Sequence, residues 1–243
     1  MHETADVIVV GGGIVGASIA WHLTSAGCRN VLILERETQP GAGSTGKSMG
    51  GVRAQFSLPA DIRMSLYSIS LFRDFEAHTG NPSGYRPQGY LFLATEPRHL
   101  QYLRANRARQ VAEGVRDVRL ISREEIVAIV PQLRWDDILG GSFCASDGFV
   151  DPHSVLTGFL KRAAEQGARL LREARVIGID VDVKGVAGVR TPRGSFASRT
   201  IINAAGPWAS EVVALLASSS RSSRFAGCWF PLNLSTASAI PSP

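Results

Sequence analysis

Residues 6–35 read DVIVVGGGIVGASIAWHLTSAGCRNVLILE, and this stretch decides the fold. Val7–Val10 is an all-apolar, β-branched run, the composition of a parallel strand buried on both faces. Gly11, Gly13 and Gly16 then supply G-x-G-x-x-G. In that pattern the first glycine permits a tight turn, the second lets main chain approach a pyrophosphate, and the third lets helix pack on strand. Ile14, Ala17, Ile19, Ala20 and Leu23 recur at helical spacing, Gly27 is placed to cap the helix, and Val31–Leu34 makes a second strand. Glu35 ends that strand about 20 residues beyond the glycines, where a carboxylate accepts hydrogen bonds from ribose hydroxyls and repels a 2′-phosphate. The helix N-terminus at Ile14 offers free N–H groups to a pyrophosphate. Together these features predict the first βαβ unit of an α/β dinucleotide-binding fold whose tightly held ligand is not NADP.

The 243 residues suffice for one large core or two small domains. No apolar run reaches the roughly 18 residues of a membrane-spanning helix, so none is expected. The opening MHETAD lacks a basic leader, and a signal peptide is not expected either. A cytoplasmic location is the corresponding expectation. The net charge is +5 with three lysines, so arginine supplies most of the positive charge. The arginines are scattered without interleaved aromatics, and no nucleic-acid partner is implied. Cys28, Cys144 and Cys228 are far apart and odd in number, which fits neither a disulfide scaffold nor a C-x-x-C motif. The histidines show no ligand spacing, and no metal site is expected. His22 falls within the first helix and reads as a packing or surface residue.

The loop after Glu35 is rich in glycine and short polar residues. Arg36 is placed to flank an adenosine, and Ser44, Thr45 and Ser48 can donate to phosphate. Gly41 to Ser48 satisfies the string G-x-x-x-x-G-K-S, but polar linker rather than a buried strand precedes it, which argues against a true P-loop. Arg53 follows Gly50 and Gly51. Its fork of donors suits a substrate carboxylate or a flavin oxygen, and a surface arginine is an equal alternative.

Residues 58–75 carry a helical apolar face, with Gly80 at the exit. A strand is predicted over 88–94 and an arginine-rich helix over 97–114. Ser122 and Glu125 form a capping-box signature. Asp151 and Pro152 mark N-cap and N1 of a helix ending at Gly167. Strands then alternate over 168–189, with hairpin turns at Lys184-Gly185 and Arg193-Gly194. Residues 200–205, TIINAA, form another buried strand. Gly206 follows it as a second close approach of main chain at a strand end, where α/β ligands sit. Asn203 there requires a polar partner. Residues 218–243 are serine-rich without an acidic residue, and are expected to be poorly ordered or foreign to the fold.

These residues resemble the D-amino-acid-oxidase-like family of FAD-dependent oxidoreductases, its sarcosine and dimethylglycine oxidase or dehydrogenase branch in particular. The resemblance rests on VIVVGGGIVGASIAWHL with Glu35, then GAGSTGKSMGGVR, GYLFLA, DGFVDPHSV and TIINAAGPWA, over roughly 5–217. It implies a Rossmann-like FAD-binding domain, 1–80 and 150–217, with an interleaved, incomplete α+β substrate domain at 81–149. It implies FAD, with Gly11, Gly13, Ile14, Gly16, Glu35 and Arg36 on the ADP half. Ser44, Thr45 and Lys47 would lie on the loop towards the flavin, Val176 near adenine, and Gly206 and Trp208 on the returning segment. Arg53 falls near a family arginine on the flavin and substrate side, and Tyr90 falls on the substrate-domain sheet.

The family chain continues well beyond the serine-rich point, so a C-terminally truncated member is expected. The loop after Glu35 has neither His nor Cys, and FAD is expected to be held non-covalently. The implied reaction oxidises the C–N bond of an amino acid or secondary amine such as sarcosine, dimethylglycine or a proline-like compound. Hydride passes to flavin N5, and electrons leave to oxygen or an acceptor protein. Two competing readings are a catalytically incomplete dinucleotide-binding remnant or subunit, and an NAD-dependent dehydrogenase resting on the generic βαβ unit alone.

Overall fold

The computed structural model describes residues 3–219. In chain order, β1 (Glu3–Thr4), β2 (Val7–Val10), α1 (Ile14–Ser25) and β3 (Val31–Leu34) come first, and β4 (Gly51–Val52) leads to α2 (Pro59–Arg73) and α3 (Phe75–Thr79). Then follow β5 (Tyr90–Ala94), α4 (Pro97–Ala112), β6 (Val118–Ile121), α5 (Arg123–Ile129), β7 (Gly140–Cys144) and β8 (Gly148–Phe149). The described chain closes with α6 (Pro152–Glu165), β9 (Arg169–Leu171), β10 (Gly178–Asp182), β11 (Gly185–Thr191), β12 (Gly194–Ala197), β13 (Ile201–Asn203) and α7 (Ala209–Ser219).

Strands β13, β2, β3 and β9 form a parallel sheet in that order. Its centre is buried on both faces, which accounts for the uninterrupted apolar runs of β2 and β3. Val9 and Ile33 face a core shared with Ala17, Ala20 and Trp21 of α1 and Phe159 of α6. Ile8, Val10, Leu32 and Leu34 face the other way, onto Ile179, Val189 and Phe196 of the β10–β12 meander. That meander is antiparallel, with β1 added in parallel to β12. The second antiparallel sheet has the order β5-β7-β6. This is an α/β Rossmann-like fold with an interleaved α+β part.

Several boundaries differ from the sequence reading. The helix expected over 58–75 is two: α2 ends at Arg73, and after Asp74 (φ −101°, ψ 15°) the short α3 begins, stopped by Gly80 in the left-handed region. Asp74 N–H still bonds Ser70 O, so the apolar spacing runs through the break undisturbed. β5 starts at Tyr90 because Gly89 takes φ 85°, with the Phe143 ring where a Cβ would be. The last strand is shorter than 200–205, its two isoleucines are half-buried, and Asn203 is exposed. Asn203 satisfies itself locally, donating to Ala209 O and accepting from Ala205 N–H. Residues 218–219 belong to α7 rather than to the tail, and the rest of the serine-rich segment lies outside the described residues. The predicted caps hold: Ser122 and Glu125 make a reciprocal capping box, and Asp151 accepts from His153 and Ser154 N–H. Among the described residues no helix is long and apolar enough to cross a membrane.

Glycines at the turn after β2 are held by contact rather than by flexibility. A Cβ on Gly16 would lie 2.0 Å from Gly11 O, whereas one on Gly13 would meet nothing closer than Thr45 Oγ1 at 3.3 Å. Gly16→Ala is therefore expected to cost about 3 kcal/mol or more, the upper range for overpacking. Gly13→Ala is expected to cost about 1 kcal/mol or less. Urea denaturation of the cofactor-free protein measures both, and equal midpoints would contradict the assignment.

Candidate functional site

At the carboxyl end of the parallel sheet a cavity of about 660 Å³ opens between β2, β3 and the turn before α7. Val10, Gly11, Gly13, Ile14 and Val15 form its floor, Glu35 to Glu37 one side, and Gly41 to Ser48 much of another. Val176, Gly206 and Trp208 close the rest. Eleven of the twelve residues proposed from sequence for the nucleotide thus stand on one wall system. Gly16 is the exception. It sits beneath the wall, where the helix meets the Gly11 carbonyl.

Main chain dominates this cavity. Gly13 is the N-cap of α1 and makes no side-chain cap bond; the helix opens with Ala17 N–H donating to Gly13 O, so its first N–H groups have no helical acceptor. One of them, Ile14 N–H, donates to Thr45 Oγ1 at 3.0 Å. Glu35 is buried and braces the turn: Oε2 accepts from Gly12 N–H and Oε1 from Glu37 N–H, both at 2.8 Å. Neither bond was legible in the sequence, which pointed only to a ribose. Arg36 lies 3.7 Å over the Trp208 ring and pairs with Glu37. Gly206 lines the cavity at φ 57°. A Cβ on Gly206 would meet nothing within 4 Å, while one on Gly11 would lie 2.4 Å from Ala204 O.

A second cavity of about 610 Å³ adjoins the first, with Ile14, Thr45 and Ser48 lining both. It holds Arg53, Phe56 and Tyr90, and on α2 Asp61, Met64, Ser65 and Ser68, none of which the sequence reading placed together except Arg53 and Tyr90 by resemblance. Arg53 is not a surface arginine. Its guanidinium lies 4.7 Å from the Phe56 ring centre, 5.5 Å from Phe92 and 5.6 Å from Tyr90, and its buried Nε has no hydrogen-bond acceptor. Arg53 also lines a smaller cavity of about 230 Å³ towards Asn106 and Gln110 of α4. Of the two glycines before it, Gly50 is required by the structure. Gly50 takes φ 75°, and a Cβ there would lie 2.1 Å from Val150 O.

Behind Arg53 lies a buried polar network. Asp147 is fully buried and accepts from Ala54 N–H at 2.7 Å and Gln55 Nε2 at 3.1 Å. Burial raises its pKa above the ordinary carboxylate value, while those two hydrogen bonds act the other way. Burial likewise pushes the Cys144 thiol up to about 12, which makes it an inert packing group rather than a nucleophile. Cys28 and Cys144 are both free, and no cluster of metal-ligating side chains exists among the described residues. His22 bonds Tyr67 and Ser18 on the surface, away from either cavity wall.

The fold and the glycine-lined cavity define a dinucleotide-binding α/β protein. The DAO family, described as FAD dependent oxidoreductase, matches residues 6–226. Mitochondrial dimethylglycine dehydrogenase of Rattus norvegicus is 33% identical over 211 residues, which is 86% of this chain and 24% of that protein. The crystal structure of L-proline dehydrogenase from P. horikoshii superposes with a TM-score of 0.83 at 31% identity, covering 89% of this chain and 57% of that one. That of glycine oxidase from Geobacillus kaustophilus gives 0.76 at 26% identity, covering 88% and 59%. The chain belongs to the DAO family of FAD dependent oxidoreductases. It spans about a quarter of the length of the curated relative it matches.

The Glu35 bonds lead to a test that needs no ligand. Glu35→Ala leaves two main-chain N–H groups near the cavity without acceptors. The cofactor-free protein is expected to lose about 1–3 kcal/mol. An unchanged denaturation midpoint would show that the carboxylate does not brace the turn.

Proposed function

We propose that the chain carries the FAD-binding part and part of the substrate side of an oxidoreductase acting on the C–N bond of an amino acid or secondary amine. The observation that supports this most is the continuity of the two cavities through Ile14, Thr45 and Ser48. The first has the character that the ADP half of a dinucleotide requires, and the second ends at an unpaired guanidinium.

The residues present fit FAD. Gly13 and Gly206 leave the wall open where a side chain would otherwise project, and Gly206 holds φ 57° to do so. The first N–H groups of α1 and the hydroxyls of Ser44 and Thr45 would meet the pyrophosphate, with Lys47 beside them. Glu35 is already fixed by two main-chain donors and keeps lone pairs for ribose hydroxyls. Arg36, stacked on Trp208, and Val176 would flank the adenosine. The loop carrying Ser44 and Thr45 has no His or Cys, which favours non-covalent binding. In this reading residues 81–149 contribute to one wall of the substrate side through Tyr90, with Phe92 beside the Arg53 guanidinium.

FAD, when bound, would supply a two-electron acceptor for the hydride on the carbon next to nitrogen; oxygen or an acceptor protein would remove the electrons, and water would hydrolyse the imine. The chain's own part is orientation. Arg53 would hold the substrate carboxylate, and the rings of Phe56, Tyr90 and Phe92 would exclude water around that contact and strengthen it. Sarcosine, dimethylglycine and proline-like compounds are the substrates this suits, each with a nitrogen one carbon from a carboxylate.

The purified protein is expected to keep stoichiometric FAD through desalting, and L-proline or sarcosine should bleach its visible band anaerobically. A folded, flavin-free protein that takes up NAD instead would overturn the proposal. Loss of one charged hydrogen-bond partner costs about 1.5–3 kcal/mol, so Arg53→Met should weaken L-proline by about 10- to 100-fold and leave pyrrolidine, which lacks the carboxylate, unaffected. A proline-to-pyrrolidine ratio equal to that of the unaltered protein would remove Arg53 from this role.

A further inference from the structure

We propose that Asp147 is a positioning residue for Arg53, acting through the main chain at 54–55 rather than by contact with the guanidinium. The inference rests on the reading of Arg53 as the carboxylate anchor. It starts from an asymmetry in how that arginine is held. Arg53 makes no ion pair among the described residues, and its Nε has no acceptor. Its side chain is therefore steered by the three rings around it and by the position of its own backbone.

That backbone is fixed by Asp147. β4 pairs with β8 in the register Gly51↔Phe149 and Val52↔Gly148, and the ladder ends there. At the next step the Asp147 side chain takes over, with Oδ1 on Ala54 N–H at 2.7 Å and Oδ2 on Gln55 Nε2 at 3.1 Å. Gln55 is held at its other points too. Its Oε1 accepts from Ser142 Oγ at 2.7 Å, and Nε2 also donates to Tyr90 O at 2.9 Å. Gln55, itself held by the buried carboxylate, thus ties the segment after Arg53 to both β5 and β7.

The chemistry requires a carboxylate at this position. Both partners are N–H donors, so both oxygens must accept. Asparagine would keep the shape but turn an N–H towards the Gln55 amide, donor against donor. Electrostatics and positioning then predict opposite signs for Asp147→Asn. Removing a negative charge from the neighbourhood of Arg53 would by itself tighten the binding of an anion. Loss of the clamp would weaken it.

Asp117 provides the internal comparison. It belongs to the same polar region and accepts from Ser146 N–H, Ser146 Oγ and Cys144 Sγ, with no bond to residues 52–56. Asp117→Asn should disturb the turn before β8 but not the seat of Arg53.

The test is isothermal titration of the FAD-loaded protein with acetate, a carboxylate with no hydride to give. Arg53→Met should abolish acetate binding. Asp147→Asn should keep FAD and weaken acetate roughly tenfold, on the scale of a small displacement of a positioning group. Asp117→Asn should bind acetate as the unaltered protein does. The Arg53 Nε–H resonance should shift in Asp147→Asn and stay in place in Asp117→Asn. Should Asp147→Asn fail to fold, Gln55→Met, which spares the Ala54 bond, is expected to weaken acetate in the same direction. Unchanged or tighter acetate binding in the folded Asp147 variant, or an equal loss in the Asp117 variant, overturns the proposal. Acetate binding that survives Arg53→Met instead overturns the reading of Arg53.

Discussion

At the carboxyl end of β2 three glycines bring main chain against main chain and against one carboxylate. Gly11 lies against Ala204 at the end of β13, Gly16 of α1 lies against Gly11 O, and Gly12 donates to Glu35 at the end of β3. The rest of the nucleotide cavity depends on this junction. A Cβ at Gly11 or Gly16 would separate strand from strand or helix from strand, and the first N–H groups of α1 would no longer sit on the cavity floor. The glycines here act as spacers of zero thickness, and their conformational freedom is secondary. Gly11 alone of the three at this junction combines a close contact with φ 114°.

Both halves of the site use the same device to hold such a junction. Glu35 braces the turn after β2 through Gly12 N–H and is itself held by Glu37 N–H, and Asp147 braces the segment after Arg53 through one main-chain and one amide N–H. Burying a carboxylate is costly, and these bonds offset the cost because a charged acceptor makes stronger hydrogen bonds than a neutral one. In each case the carboxylate comes from a different element than the segment it fixes. The placement of the segment is thereby set by tertiary structure rather than by local propensity.

That difference separates what the sequence discloses from what it hides. The βαβ unit is legible because its signal is periodic and local: apolar β-branched runs, a glycine triad, then helical spacing. The caps at Ser122 and Asp151 are local too, and so are the two hairpin turns, whose loops fall one residue before the expected pairs, at Val183-Lys184 and Pro192-Arg193. The bonds of Asp147 to Ala54 and Gln55 span more than 90 residues, and no spacing rule announces them. The same holds for the second cavity, whose α2 lining joins Asp61, Ser65 and Ser68 to Met64 and Phe72, a mixture that the apolar spacing alone does not mark. Gly206 carries a related ambiguity, which the structure resolves as φ 57° beside an open cavity wall. A glycine after a strand signals a positive φ or a close approach, and the sequence does not say which.

The ladder between β4 and β8 is two residues long on each side, yet it governs how Arg53 is presented to the second cavity. Such a short ladder would be weak if it stood alone. It is reinforced by glycine at both of its ends. A Cβ at Gly50 would lie 2.1 Å from Val150 O, and one at Gly148 would lie 2.0 Å from Arg86 O. Main chain from the loop after Thr45, from the segment before β5 and from β8 is therefore stacked as closely as backbone allows. Arg53 emerges one residue beyond this stack, and Asp147 clamps the next two. The glycine-rich loop that looks pliant in the sequence is, on this geometry, a compressed joint, and the placement of the Arg53 guanidinium in the second cavity follows from it.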